Sequence, residues 1–270
     1  MDCSRFTRAP GKRFRLDEID PADTGRFKGK SDAREPTADN LIKLHELHER
    51  LYADTGKGLL IILQAMDTAG KDGTIEHVVG AFNPQGVTVT PFKVPTAEEL
   101  AHDFLWRLHP WAPARGRIAI FNRSHYEDVL VVRVKKLVPA AVWKRRYDHI
   151  NSFERLLADS GITIVKLFLH ISPEEQAERL RERQQTPDKQ WKFLPGDLDD
   201  RKLWPKYMEA YEDALTRCNT AWAPWYVVPA NRKWYRNFVV SEILVETMEG
   251  MNLRYPEPVA NIADYVIPEV

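Results

Sequence analysis

A lysine in a short glycine-containing turn is the clearest chemical feature of the sequence. Gly70-Lys71 follows an apolar run at 59–64, and the letters from Ala65 onward read AMDTAGKDGTI. The phosphate-binding loop pattern is Gly, four residues and Gly-Lys-Ser/Thr; here Ala65 holds the first position and Asp72 the last. We expect Lys71 to neutralise a transferred phosphoryl group, and backbone N–H groups of the turn to bind phosphate oxygens. The turn residues concerned are Ala69, Gly70, Gly73 and Thr74.

Two aspartates flank this lysine. Asp67 and Asp72 would repel a phosphate anion unless a cation lay between them, and carboxylate oxygens are ligands that suit Mg²⁺. The pair therefore predicts a magnesium-dependent site. Two alternatives remain: Asp72 only complements the dipole of a helix, or the whole segment is an ordinary strand-to-helix turn with a surface lysine.

A second polar group follows an apolar run at 118–121. In P-loop enzymes a neighbouring strand ends in an acidic residue that holds magnesium, and here Asn122 takes that place. Arg123 is suited to bidentate contact with phosphate, and Glu127 follows within one turn. The next segment, 129–147, has no acid and six basic residues: Arg133, Lys135, Lys136, Lys144, Arg145 and Arg146. This asymmetry favours a polyanion site, and the alternative is a solvated helix face.

An arginine-rich segment lies further along the chain. Arg179 and Arg183 are four residues apart and therefore share one face of a helix. Proline breaks after this helix predict a helical hairpin with a mobile tip, at about 173–206. Such a lid would exclude water and bring positive charge to a transferred phosphoryl group. The alternative is a salt-bridged surface helix, since Glu178 and Glu182 are present.

Alternating apolar runs and helical patterns indicate the elements that must position these residues. Strands are predicted at 58–64, 87–92, 117–121, 162–169 and 225–229. A first helix starts near Thr37, and others are predicted at about 71–83, 96–108, 139–158, 173–185, 202–221 and 233–249. This alternation predicts an α/β fold, a three-layer α/β/α sandwich with a mainly parallel five-stranded sheet. Ligands of such sheets bind beyond the carboxyl ends of the strands.

Composition limits the class of protein. The chain has 270 residues, with 39 Lys plus Arg and 39 Asp plus Glu, so its net charge of zero argues against a nucleic-acid coat or a polybasic membrane binder. Two cysteines exclude a disulfide-rich secreted scaffold. The sequence shows no signal-peptide or membrane-spanning run, which predicts a cytoplasmic protein. We expect an N-terminal arm at 1–38, a catalytic domain at 39–250 with the lid inserted, and a tail at 251–270.

Three segments together resemble family-2 polyphosphate kinases. They are MDTAGKDGTI at 66–75, FNRSHYE at 121–127 and KQWK at 189–192, in family order within a resemblance that covers about 40–250. The resemblance implies a P-loop kinase core with a helical lid, akin to thymidylate kinases. It also implies Mg²⁺-dependent phosphoryl transfer between inorganic polyphosphate and AMP, ADP and ATP, and a homo-oligomer.

The resemblance also assigns residues. It implies catalytic roles for Asp67, Lys71, Asp72, Arg123 and Arg183. Many members have Asp where Asn122 stands and Asn where Glu127 stands, and the version found here looks like the subgroup that accepts both AMP and ADP. Glu127 would then contribute to nucleotide binding and to the metal site, whose expected ligands are Asp67, Asp72, Asn122 and Glu127.

We expect an in-line transfer without a covalent enzyme intermediate. Phosphates of the polymer would contact Arg133 and the basic run around it, together with Arg179, Lys189 and Lys192. The nucleoside would lie near Phe92 and Lys93, unless Phe92 is a core residue.

Three other functions remain open. An ATP-dependent nucleotide kinase of the thymidylate-kinase type shares this core, but it normally has Ser or Thr in place of Asp72. A nucleotide-dependent switch protein usually carries an Asn-Lys-x-Asp signature, which is not found at 231–234. A protein that binds polyphosphate without turnover is the third.

Overall fold

The computed structural model describes residues 2–270, and its centre is one parallel sheet of five strands. In spatial order the strands run β2-β3-β1-β4-β5. Every neighbouring pair is parallel, so the predicted five-stranded sheet is confirmed. Its strands are β1 Gly58–Ala65, β2 Val87–Pro91, β3 Ile118–Asn122, β4 Ile162–His170 and β5 Trp225–Pro229.

The two faces of the sheet form two separate cores. All residues of β1 are buried, and alternate residues belong to different clusters because successive side chains of a strand point to opposite faces. Leu59, Ile61 and Leu63 lie in one core, and Leu60 and Ile62 in the other. A sheet covered on both faces needs such a continuous apolar run.

Long helices cover both faces and complete the predicted three layers. Helices α1 Arg34–Asp54 and α10 Lys233–Gly250 pack on one face, whereas α5 Ala140–Asp159 and α9 Trp204–Arg217 pack on the other. The shorter helices are α2 Lys71–His77, α3 Ala97–Ala101, α4 Val131–Val134, α6 Pro173–Gln185, α7 Pro187–Gln190 and α8 Pro195–Lys202.

Three helices are shorter than predicted, and one of them is α9, which covers 204–217 of the predicted 202–221. Helix α2 ends at His77, and a 3₁₀ turn replaces the rest of the predicted 71–83 helix at Val79–Ala81. Helix α3 begins with a capping box between Thr96 and Glu99 but ends at Ala101. The predicted continuation to 108 becomes a 3₁₀ segment at Trp106–Trp111, which contains a proline.

The N-terminal segment packs against the rest of the protein and contributes side chains to both cores. Phe6 and Phe27 enter one core, and Phe14 and Leu16 enter the other. Backbone N–H groups of Phe14 and Leu16 donate to side chains of α9, at 3.0 and 2.8 Å. Helix α1 starts at Arg34, before the predicted boundary at 38.

The last residues of the chain lie in the open. Large apolar side chains of the segment 255–270 are exposed, among them Val266 and Ile267. Within residues 2–270, no helix is both long and apolar enough to cross a membrane.

Candidate active site

The loop between β1 and α2 has the backbone of a phosphate-binding turn. Gly70 is left-handed, with φ of 103°, and a Cβ there would lie 1.8 Å from Nη1 of Arg236. Only glycine fits this position. Thr68 is also left-handed, with φ of 68°, and its buried hydroxyl has no hydrogen-bond partner in the described part of the chain. Thr74 is buried, and its hydroxyl donates to the Gly70 carbonyl at 3.1 Å.

The ammonium of Lys71 turns back over the loop. Its Nζ donates to the carbonyl of Ala65 at 3.2 Å. Burial and, second, the cation of Arg123 lower the pKa of Lys71 to about 8. A lysine with so low a pKa gains its full charge when an anion binds beside it.

Arg123 links two acids at the carboxyl ends of neighbouring strands. Its Nη2 lies 2.5 Å from Asp67 Oδ1, and its Nη1 lies 3.5 Å from Glu127 Oε2. Burial disfavours the charge of Arg123, but Glu127 and Asp67 outweigh burial and raise the pKa of the guanidinium above its ordinary value. Arg123 also has a left-handed backbone, with φ of 64°. β1 and β3 thus deliver these three side chains to one point, since Leu63 pairs with Asn122 across the two strands.

The second aspartate lies at the cavity mouth. Asn122 Nδ2 donates to Asp72 Oδ1 at 3.1 Å, and Lys192 Nζ lies 4.0 Å from Asp72 Oδ2. The Asp72 side chain is 66% exposed, so its carboxylate is accessible to a ligand. Within residues 2–270, no three His, Cys, Asp or Glu side chains form a ready metal cage. The donors present are two carboxylates and an amide, which suit Mg²⁺ with water completing its shell.

One cavity of about 1,040 Å³ joins these residues. Eleven of the described lining residues are Lys or Arg, and only four are Asp or Glu. The predicted site residues that line it are Asp67, Gly70, Lys71, Asp72, Gly73, Phe92, Lys93, Asn122, Arg123, Arg179, Arg183, Lys189 and Lys192. Ala69 and Thr74 are buried beneath the loop, and Glu127 reaches the group only through Arg123.

The segment proposed as a lid contains α6, α7 and α8, and the two arginines expected to act from α6 differ. Arg179 is buried, and its guanidinium donates to the carbonyls of Thr68, Ala230 and Asn231 at 2.7–3.0 Å. These bonds occupy the group that was expected to bind phosphate, so the structure makes Arg179 a clamp between lid and loop. Arg183 is held more loosely, by Asp197 at 3.5 Å and the carbonyl of Lys192 at 3.3 Å.

Three other expectations need correction. Arg133 does not line the cavity: its guanidinium pairs with Glu209 and Asp213 of α9, each at 2.6 Å, so its charge is already neutralised. The Phe92 ring is buried and packs edge-on against Phe121, which makes it mainly a core residue. The Lys189 ammonium pairs with Glu182, although Lys189 lines the cavity.

Four cations of the cavity were not expected from the sequence: Lys30, Arg34, Lys233 and Arg236. Arg236 follows the carboxyl end of β5 by seven residues, so the rule that ligands bind at strand ends could have pointed to it. Lys30 and Arg34 belong to the N-terminal segment and the start of α1, where spacing gave no signal.

Comparison with known proteins agrees with this geometry. The sequence model of the family Polyphosphate kinase 2 (PPK2) matches residues 26–256. The chain is 56% identical over 250 residues, 92% of this chain and 94% of the relative, to an AMP/ADP-polyphosphate phosphotransferase of Meiothermus ruber. It is 42% identical over 266 residues to an ADP-polyphosphate phosphotransferase of Rhodopseudomonas palustris, covering 91% of this chain and 92% of that protein.

A solved structure shows the same fold. The crystal structure of polyphosphate kinase 2 from Arthrobacter aurescens TC1 superposes with a TM-score of 0.90 at 45% identity, covering 96% of this chain and 95% of that one. The loop, the strand-end arginine and α6–α8 therefore lie in a fold that is shared over nearly the whole chain. This chain belongs to the polyphosphate kinase 2 family.

Proposed function

We propose that the protein transfers phosphoryl groups between inorganic polyphosphate and nucleoside mono- and diphosphates, taking AMP to ADP and ADP to ATP reversibly, with Mg²⁺. The observation that carries this proposal is the charge of the cavity. Among residues 2–270, eleven cations and four acids line the cavity at a phosphate-binding loop, in a chain whose net charge is zero. Two highly charged phosphate substrates need such an excess.

Positioning and charge neutralisation do most of the chemistry. Backbone N–H groups of the Gly70 turn and the Lys71 ammonium hold the phosphoryl group that moves. Arg123 and Arg183 approach it from the strand end and from the lid. Phosphate oxygens of a nucleotide are already anionic, so no strong general base is needed and transfer is direct.

The carboxylates of Asp67 and Asp72 and the amide oxygen of Asn122 would hold the magnesium ion. When bound, that ion neutralises phosphate oxygens and orients donor and acceptor. Arg123 keeps Asp67 in place meanwhile, and Asn122 does the same for Asp72.

The acceptor range is proposed to include both AMP and ADP. The pairing of Glu127 with Arg123 supports this, because it places an additional acid beside the transfer site. The relative from Meiothermus ruber is named as using both nucleotides. We also propose a homo-oligomer, on the family resemblance alone; light scattering after gel filtration tests it.

The direct test supplies polyphosphate as the sole phosphate donor. Purified protein with ADP or AMP and Mg²⁺ should form ATP or ADP only when the polymer is present, and EDTA should stop the reaction. Lys71→Ala should lower kcat by about 10³-fold, because a key transition-state charge is lost. Lys12→Ala, an exposed lysine of the N-terminal segment, is the control and should match wild type.

Two results would contradict the proposal. Phosphorylation of AMP by ATP, with no use of polymer, would favour the ATP-dependent nucleotide kinase. Tight capture of polyphosphate with no turnover in Mg²⁺ would favour a binding protein.

A further inference from the structure

A buried glutamine interrupts the apolar strand that leads into the phosphate loop. Gln64 is the last residue but one of β1, its side chain is fully buried, and its partner across β4 is Phe168. A buried amide is costly unless both its donor and its acceptor have partners. No step of the proposed transfer uses this residue, so its partners indicate what it does.

The amide of Gln64 joins β1 to the turn that follows β3. In the orientation that satisfies both halves of the amide, its nitrogen donates to Oε1 of Glu127 at 3.0 Å. Its oxygen accepts from the backbone N–H and from the hydroxyl of Ser124, each at 3.1 Å. The reverse orientation would set the amide oxygen against a carboxylate oxygen, and both of these atoms are acceptors. Gln64 therefore holds the start of this turn and also the acid that the turn carries.

Glu127 is held more closely by Gln64 than by Arg123. Nη1 of Arg123 lies 3.5 Å from Oε2 of Glu127, which is longer than an ordinary hydrogen bond. Nη2 of the same guanidinium lies 2.5 Å from Oδ1 of Asp67. Arg123 is thus shared unequally, and its shorter contact is with Asp67. Without the amide of Gln64, the Glu127 carboxylate would be free to close on Arg123 and to compete with Asp67 for it.

We propose that Gln64 is a positioning residue for the acceptor site, whose amide fixes the carboxylate of Glu127 beside the transfer site while Arg123 stays on Asp67. This inference rests on the proposed function, in which Glu127 is the acid that supports the use of AMP as well as ADP. It adds the residue that determines where this acid lies. An apolar side chain would fill the same space, but it would supply neither the donor to Glu127 nor the acceptor to Ser124.

The test measures acceptor preference, which a purely structural role would not change. Gln64→Met removes the amide and keeps a long side chain in the core. Glu127→Gln removes the acid itself, and Gln64→Met/Glu127→Gln is the double variant. We would measure kcat and KM for AMP and for ADP at saturating polyphosphate and Mg²⁺, and the stability of each variant by urea unfolding.

His48→Met is the matched control. This histidine is also buried, and its Nδ1 accepts from the backbone N–H of Asn83 at 3.1 Å. Asn83 lies before β2, so the contact is at the amino ends of the strands, opposite the site. His48→Met should lower the stability but leave the ratio of kcat/KM for AMP to kcat/KM for ADP within about twofold of wild type.

Gln64→Met should lower the same ratio about fivefold or more, in the direction of Glu127→Gln. The double variant should lie within about twofold of Glu127→Gln alone, because Gln64 acts through an acid that is already absent there. The inference is overturned if Gln64→Met leaves the ratio unchanged, if it shifts the ratio in the opposite direction, or if the two effects multiply in the double variant.

If Gln64→Met does not fold, Gln64→Asn takes its place, because the shorter side chain draws the amide away from Glu127. It should lower the ratio in the same direction, and an unchanged ratio would then overturn the inference.

The failure of the inference and the failure of the proposed function give different results. A wild type that makes neither ADP nor ATP from polyphosphate defeats the proposed function itself. An active wild type in which Glu127→Gln lowers the ratio and the Gln64 variants do not defeats only the positioning role. If Glu127→Gln leaves the ratio unchanged, the acceptor role of Glu127 and the positioning role of Gln64 are both refuted, whereas the transfer from polyphosphate stands.

Discussion

At the scale of single residues, the charged groups around the loop each have a partner before any substrate binds. Asp67 is held by Arg123, Asp72 by Asn122, and the Lys71 ammonium by a backbone carbonyl. Lys71 has the weakest compensation, because its neighbours include a second cation as well as acids. We therefore expect the protonation of Lys71 to make substrate binding sensitive to pH.

We expect kcat/KM for polyphosphate to fall above a pH of about 8. Lys71 is charged below its pKa, which is about 8, so raising the pH removes the cation that binds the donor. In the bound complex the donor's negative charge stabilises the ammonium, so the decline in kcat should begin at a higher pH. Initial rates measured from about pH 6.5 to about pH 10, at saturating Mg²⁺, give the pH dependence of kcat/KM and of kcat.

Lys71→Arg supplies the matched variant, because an arginine stays charged throughout this range. The residual kcat/KM of Lys71→Arg should stay constant over the pH range in which the kcat/KM of wild type declines. A wild-type profile that remains flat to pH 10, about two units above the pKa, would show that Lys71 does not control donor binding.

At the scale of elements, one turn of helix separates two kinds of arginine. Arg179 and Arg183 share a face of α6, and from spacing alone they are equivalent. The structure differentiates them by depth: Arg179 reaches three carbonyls of the loop and of the segment after β5, whereas Arg183 reaches only its own lid. Helix α6 is thereby held to the loop at Arg179 and more loosely, within the lid, at Arg183.

Arg179→Gln should lower the free energy of unfolding by about 2–4 kcal/mol, because it leaves buried carbonyl groups without the hydrogen bonds that the guanidinium now donates. Arg183→Gln should change it by less than about 1 kcal/mol, since its contacts are long and partly exposed. The same Arg183→Gln should lower kcat about 10²-fold by removing charge from the transferred group. Urea unfolding measures the effect on stability, and steady-state rates measure the effect on kcat. Equal stability of Arg179→Gln and Arg183→Gln would contradict the role of Arg179 as a clamp.

The sequence was most informative where one element alone determines the outcome. The continuous apolar run of β1 predicted a strand covered on both faces, and the order of strand, turn and helix predicted the loop around Lys71. It was least informative where distant segments meet. Nothing near Arg133 shows that Glu209 and Asp213 neutralise it, and nothing near Arg34 shows that it lines the same cavity as Arg236, about 200 residues away.

At the scale of the whole molecule, a buried polar network joins β4 and α5 to the turn that follows β3. Lys166 Nζ in β4 lies 2.5 Å from Glu154 in α5 and donates to the hydroxyl of Tyr126 at 2.9 Å. His125 lies 3.3 Å from the same carboxylate. Burial disfavours the charge of Glu154, but Lys166 and His125 outweigh it and lower the pKa of this carboxyl. The turn that carries Asn122 and Arg123 rests on this network.

Glu154→Gln should lower the free energy of unfolding by about 3–5 kcal/mol, because it leaves the buried Lys166 charge uncompensated. Asp159→Asn breaks an exposed pair with Arg155 on the same helix and should cost less than about 1 kcal/mol. Chemical denaturation of both variants provides the comparison. A Glu154→Gln variant as stable as Asp159→Asn would mean that the network adds nothing to the fold.

Thr68 has a consequence for engineering. A β-branched residue in a left-handed conformation is strained, and its buried hydroxyl beside the cavity has no hydrogen-bond partner among residues 2–270. Glycine would relieve that strain and keep the carbonyl that Arg179 holds, but its greater backbone freedom would also loosen the turn that precedes Lys71. Selection for heat resistance at this position therefore has to be screened on turnover as well, because a change that relieves strain also alters the turn that carries the reactive lysine.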